Sequence, residues 1–143
     1  MKISTRGRYA LRVMIDLAEH GGDNYIPLKD IVSRQDISQK YLEGIMTDLS
    51  KSGLLDAQHG KGGGYKLVRS ADQITVLDVL IPTEGDLAPI ACLDKCAEPC
   101  SRAAECKTLP MWEKLYKLIS DYFSGITLAD LTSGDNGGDN YII

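Results

Sequence analysis

Histidine and large aromatic residues are scarce in this chain of 143 residues, which has two histidines, one tryptophan and one phenylalanine. His20 and His59 both fall in the first half, away from every cysteine. No nucleophile–base pair can be named from them, so an enzyme is not expected. No apolar run approaches the length needed to cross a bilayer, which excludes a helical membrane protein. The segment Met1–Arg6 lacks the apolar stretch of a secretory signal, so a cytoplasmic protein is expected. Cysteine is absent outside residues 92–106, and no Cys-x-x-Cys pair occurs there. In a reducing compartment that argues against a disulfide framework and against a thioredoxin-like oxidoreductase. Net positive charge is also lacking, with 16 Lys and Arg against 20 Asp and Glu. The length admits one compact domain with a modest second element.

That negative charge is unevenly spread. Residues 1–70 carry 11 basic against 8 acidic side chains, and residues 71–143 carry 5 against 12. A basic front half joined to an acidic back half fits a DNA-binding module followed by a regulatory or oligomerising one. The front half reads accordingly. Ser4-Thr5 caps a helix with Tyr9, Leu11, Val13, Met14, Leu17 and Ala18, ended by Gly21-Gly22. A second helix runs from Leu28 to Arg34. A third, capped by Ser38, runs from Gln39 to Lys51 with Leu42, Ile45, Met46 and Leu49 in one apolar stripe. Two short helices around a tight turn form a helix-turn-helix. Strands Leu54–Gln58 and Tyr65–Val68 flank the glycine-rich turn 59–64 and predict a hairpin wing. The expected fold is mainly α with a small β-hairpin: a winged helix-turn-helix plus a long dimerisation helix.

The back half predicts a helix from Thr75 to about Leu80, ended near Pro82. Pro110 then opens a long helix with Trp112, Leu115, Tyr116, Ile119, Tyr122 and Phe123 at helical spacing, a stripe assigned to a partner copy. The expected divisions are 1–70 (DNA-binding domain), 71–88 (connecting helix), 89–108 (cysteine loop), 109–131 (dimerisation helix and short C-terminal helix) and 132–143 (flexible tail). Between wing and long helix lies Cys92-x3-Cys96-x3-Cys100-x5-Cys106. Four thiols within fifteen residues point to a metal or cluster site. The interleaved Asp94, Lys95, Glu98 and Arg102 argue against buried structural cysteines. Iron–sulfur chemistry and a tetrahedral zinc site both suit such a donor set.

These segments resemble the IscR-type winged-helix regulators of iron–sulfur cluster biogenesis. The markers are Lys2-Ile3-Ser4-Thr5-Arg6-Gly7-Arg8-Tyr9-Ala10, Ile37-Ser38 with Tyr41-Leu42-Glu43, Gly60 with Gly62-Gly63-Gly64-Tyr65, and Cys100-Ser101-Arg102 through Cys106 followed by Trp112. The ordered set extends to about Leu131. The resemblance implies a homodimer on palindromic double-stranded DNA and a 2Fe–2S cluster, with Cys92, Cys100 and Cys106 as ligands. Where many family members place a histidine ligand this chain has Leu109. Where others use a carboxylate from the first helix it has Arg6, Arg8 and Arg12 before Asp16. Cys96 is the simplest fourth candidate, with Asp94, Glu98 and Glu105 behind it.

On the DNA side the candidates are Arg6, Gln39, Lys40, Tyr41, Glu43, His59, Lys61 and Gly62. Gln39 suits adenine, Lys40 guanine or phosphate, and Glu43 a cytosine amine. The resemblance gives Glu43 the part of a specificity filter, while Tyr41 serves equally well as core. His59 stands where the family usually has arginine, with Lys61 and Lys66 to restore the charge. The expected function is a DNA-binding transcriptional regulator, a repressor of iron–sulfur cluster biogenesis genes with specificity set by the cluster. The alternative is a cluster-free or zinc-containing repressor of the same fold that controls cysteine and sulfur metabolism through a protein partner.

Overall fold

In the computed structural model, which describes residues 2–134, Ser4 and Ser38 start the two longest N-terminal helices. The Ser4 hydroxyl accepts from the Gly7 amide (3.1 Å) and opens α1 (Thr5–His20). The Ser38 hydroxyl accepts from the Tyr41 amide (3.3 Å) and opens α3 (Gln39–Lys51). Each satisfies an N–H that a helix start otherwise leaves unpaired. Between them α2 (Leu28–Gln35) ends on Asp36, whose φ of 53° makes the tight turn into α3. The apolar stripes converge on Val13, Met14, Leu17, Ile31, Leu42, Ile45, Met46 and Leu49, all of them buried.

One polar side chain is buried with them. Asp16 is 1% exposed and is held by Arg34 through Nε (2.9 Å) and an Nη (2.7 Å), and by Gln35 Nε2 (2.8 Å). Burial pushes this carboxyl up, but the Arg34 and Gln35 hydrogen bonds and the Arg34 charge outweigh it, and its pKa is lowered. The pair fastens α2 to α1.

The wing pairs β1 (Leu55–Gln58) with β2 (Gly64–Leu67) in antiparallel register, Leu55 opposite Leu67 and Gln58 opposite Gly64. A third segment joins it. Ile26 and Tyr65 exchange backbone hydrogen bonds of 2.8 and 2.9 Å, tying the wing to the entrance of α2. A Cβ on Gly64 would stand 2.2 Å from the Ile26 carbonyl oxygen, so this approach requires glycine.

The connecting helix differs from expectation. α4 covers Val76–Glu84 and contains Pro82 instead of stopping before it. Its start is fixed by a Thr75–Asp78 capping box. Past the proline, the Thr83 hydroxyl donates to the Val79 and Leu80 carbonyls and the Gly85 amide to that of Ile81, so the last turn keeps its hydrogen bonds. Gly85 (φ 82°) then ends it.

After the cysteine segment come α5 (Leu109–Ser124) and α6 (Leu128–Thr132). The chain returns to its own middle here: Val76 N–H donates to Ile126 O and Leu128 N–H to Ile74 O, each at 2.9 Å. Leu128 is fully buried in the same core as Val13 and Met46, and Ile74 and Val79 join it. The core of the winged helix therefore extends past residue 70 and includes a residue from the C-terminal helix. The expected flexible tail lies, from residue 135 on, outside the described residues.

The stripe expected on α5 divides between two faces. Ile119 and Phe123 pack against the cluster of Val76, Leu80 and Leu87. Met111 (54%), Leu115, Leu118 (57%) and Tyr122 remain exposed.

Candidate nucleic-acid interface and cysteine loop

The apolar stripe of α3 faces inward, so its other side is presented outward: Gln39, Lys40 and Glu43 are all exposed. Gln39 Nε2 donates to Glu43 Oε1 (3.2 Å), which pairs the two side chains one helical turn apart. Tyr41 is half-buried and meets Tyr9 edge to face, with ring centroids 5.8 Å apart. It packs in part against the core and also lines a shallow depression with Arg6, Ser38, Lys40 and Gly44.

Arg6 is turned onto α3. Its guanidinium pairs with Asp48 through Nε (3.0 Å) and through an Nη, and donates to the Gly44 carbonyl (2.9 Å). The side chain stays one-third exposed, so it braces α3 and borders the depression at once. Arg12 likewise donates to Gln35 and lies over the Tyr9 ring (5.0 Å).

At the wing, His59, Lys61 and Gly62 are exposed at the tip, where Gly62 takes a φ of 79°. Lys66 does not add to that tip. Its ammonium lies 4.7 Å from the centre of the Tyr25 ring, whose hydroxyl donates to Asp56 (2.5 Å). A cation the sequence reading missed takes its place: Lys29 shares a groove with Gln58, His59, Gly60 and Gly63. No spacing rule ties Lys29 to His59. They meet through the Ile26–Tyr65 pairing, which is a tertiary contact.

The cysteines occupy an irregular segment with one short 3-10 turn at Ala91–Leu93. Cys92, Cys96 and Cys100 are exposed and Cys106 is half-buried. Cys106 Sγ lies 3.5 Å from the Thr108 hydroxyl, and hydrogen bonds from Thr108 hold this thiol below the ordinary range. A lowered thiol pKa favours the thiolate that binds metals. Among the described residues, no three His, Cys, Asp or Glu side chains stand together as a metal site. The donor set fits a soft iron–sulfur or zinc group by its chemistry. Bringing the donors around one group requires the loop to close.

Asp86 roots this loop. It accepts from the Ala88 amide (2.9 Å), the Lys95 amide (2.8 Å) and the Tyr116 hydroxyl (2.6 Å), and so joins the end of α4, the cysteine segment and α5. Burial raises the Asp86 carboxyl, but these donors bring its pKa below the usual range. The same hydrogen bond pushes Tyr116 up to about 12. Nothing in the local sequence marks Asp86, because its partners lie up to thirty residues away.

A family profile described as Rrf2, iron-dependent transcriptional regulator, matches residues 3–134. The chain belongs to the Rrf2 family. Within that family it is similar to the HTH-type transcriptional regulator IscR of Erwinia tasmaniensis, with 38% identity over 93% of this chain and 79% of that one. It is also similar to Protein rrf2 of Nitratidesulfovibrio vulgaris, with 40% identity over 92% and 87%. Among solved structures, CymR, the global cysteine regulator of B. subtilis, superposes with a TM-score of 0.73 at 34% identity, covering 93% of this chain and 97% of that one. The T. potens IscR structure superposes at 0.71 with 32% identity, covering 96% and 90%. The chain is thus an IscR-type Rrf2 transcriptional regulator with a winged-helix fold, and its relatives are regulators, not enzymes. Among the described residues, no helix is long and apolar enough to cross a membrane.

Proposed function

We propose that this Rrf2 regulator acts in the cytoplasm as a homodimer on palindromic promoter DNA, with specificity set by a 2Fe–2S cluster on its cysteine loop. The observation that carries the reading is the position of the only four cysteines. They sit on an exposed loop between a winged helix and a helix with an uncovered apolar face. Cys92, Cys100 and Cys106 would hold the cluster, with Cys96 the candidate fourth ligand. When bound, the cluster supplies a redox-sensitive charge and a fixed loop conformation.

Gln39, Lys40, Tyr41 and Glu43 enter the major groove from α3, and His59, Lys61 and Gly62 approach the backbone and the neighbouring groove from the wing. Glu43 rejects sites that place phosphate or base acceptors near it, and Lys29 adds a phosphate contact beside His59. Arg6 fixes the angle of α3 through Gly44 and Asp48. The face of Met111, Leu115, Leu118 and Tyr122 on α5 pairs with a second copy and sets the distance between half-sites. The genes under control are those of iron–sulfur cluster assembly.

The likeness to CymR favours a second reading, a cluster-free or zinc-holding repressor of cysteine and sulfur metabolism that works through a protein partner. The deciding experiment is the visible spectrum of protein purified without oxygen, with iron and sulfide analysis. Reddish-brown protein with matched iron and sulfide supports the cluster reading. Protein that holds zinc, or that takes up no cluster on reconstitution with iron and sulfide, supports the second.

A further inference from the structure

Two carboxylates flank Gly85, and each is committed to a different part of the molecule. Asp86 receives the Lys95 amide, the residue before Cys96, and the Tyr116 hydroxyl of α5. Glu84 receives both the amide (2.9 Å) and the hydroxyl (2.6 Å) of Ser4, eighty residues earlier in the chain. Ser4 is the cap of α1, and its hydroxyl also receives the Gly7 amide. The Glu84 carboxylate lies over Gly7, where a Cβ would stand 2.1 Å from its oxygen. Two residues after Ser4, Arg6 grips the recognition helix at Gly44 and Asp48. Gly44 lies beside the Arg6 guanidinium, which a Cβ there would meet at 3.4 Å, an ordinary van der Waals distance.

These contacts form an unbroken series from the cysteine loop to α3. It runs from Lys95 to Asp86, across Gly85 to Glu84, to the Ser4 cap, and through the first turn of α1 to Arg6 and Gly44. We infer that Glu84 and Asp86 are positioning residues that transmit the state of the cysteine loop to the recognition helix. The inference rests on the reading that the loop takes a thiolate-bound group and that α3 reads DNA. Closing the loop displaces Lys95, next to Cys96, and with it the carboxylate that accepts its amide. Asp86 is also tied to Tyr116, so α5 and the end of α4 move together. Gly85, the C-cap in a left-handed conformation, lets that movement rotate Glu84. Glu84 holds both donors of Ser4, so the cap of α1 moves, and Arg6 carries the change to the residue beside Glu43. Coupling of this kind is carried by contiguous contacts, and the non-covalent steps of this series are hydrogen bonds and an ion pair between named groups.

The test uses the full chain with Zn(II) as the probe of the thiols. Amide hydrogen exchange is followed by mass spectrometry in the wild type, Glu84→Gln and Asp86→Asn, and affinity for one duplex is measured with and without zinc. In the wild type zinc slows exchange over residues 86–108 and also changes it over residues 39–51. DNA affinity shifts by about five-fold or more, the usual scale of coupling between sites. In Glu84→Gln the loop still responds, the change over 39–51 is lost, and the affinity ratio falls towards one. In Asp86→Asn the response stops at the loop. Ser4→Ala, which removes one of the two donors to Glu84, gives an intermediate ratio and replaces Glu84→Gln if that variant melts early. A loop that responds in the wild type without any change in α3, or an α3 response that persists in Glu84→Gln, overturns the inference alone. A loop indifferent to zinc overturns the thiolate-ligand reading and the inference with it.

Discussion

Arg34→Met tests the buried attachment of α2 to α1. The substitution keeps most of the aliphatic stem and removes the cation that faces Asp16, a carboxylate with no exposed side-chain surface. Removing one partner of a buried pair costs about 3–5 kcal/mol, because the remaining charge is left without compensation. Here Arg34 is one-third exposed and Gln35 keeps its own hydrogen bond, so the lower end applies, about 3 kcal/mol. For a chain of this size that is a fall in melting temperature of roughly 10 °C. Urea unfolding from pH 7 to pH 4 adds the sign. In the wild type the Asp16 pKa is lowered, so its contribution is complete above the unfolded value of about 3.9 and is lost as pH falls through the folded value. Without Arg34, burial dominates and raises the carboxyl, so the variant takes up its proton at higher pH on folding. The stability gap between wild type and variant therefore closes on acidification. A gap below about 1 kcal/mol at pH 7, or one that stays constant towards pH 4, refutes the account.

Other substitutions probe the remaining joints. Leu128→Ala empties a fully buried site and lowers the urea-derived stability by about 3 kcal/mol, although Leu128 lies far from the helix-turn-helix in sequence. Gly64→Ala forces apart the Ile26–Tyr65 pairing, and hydrogen exchange at the Ile26 and Tyr65 amides rises while the centre of α3 stays protected. Glu43→Ala broadens the set of DNA sites bound by cysteine-free protein in a random-site selection, and an unchanged set counts against the filter role. Met111→Lys with Leu118→Lys places charge on the exposed face of α5, and sedimentation then shows a smaller species.

The helix-turn-helix was legible because Ser4, Ser38 and the i, i+3, i+4 stripe of α3 are local signals, and each is realised as a cap or a buried face. The wing was legible from its glycines for the same reason. Pro82 points to a helix end because it removes one amide, whereas Thr83 and Gly85 maintain the turn beyond it. The α5 stripe was visible as apolar, but a periodicity cannot tell which part of an aromatic face meets α4 and which stays uncovered. The long-range polar contacts were hidden for one reason. Asp16, Glu84 and Asp86 meet partners brought near by the tertiary fold, and Lys29 reaches the wing groove in the same way, so their surroundings in sequence resemble any polar surface.

The backbone pairing of Thr75 with Thr127 bears on how the protein is made. A ribosome releases the helix-turn-helix and wing long before Leu128, the side chain that completes their shared core. The nascent N-terminal segment must wait, with part of its interior open, until the cysteine loop and α5 have been synthesised and the chain doubles back. A polypeptide cut short by stalling or nonsense mutation after the wing therefore lacks its last internal packing layer. Quality control can clear it before it occupies a promoter.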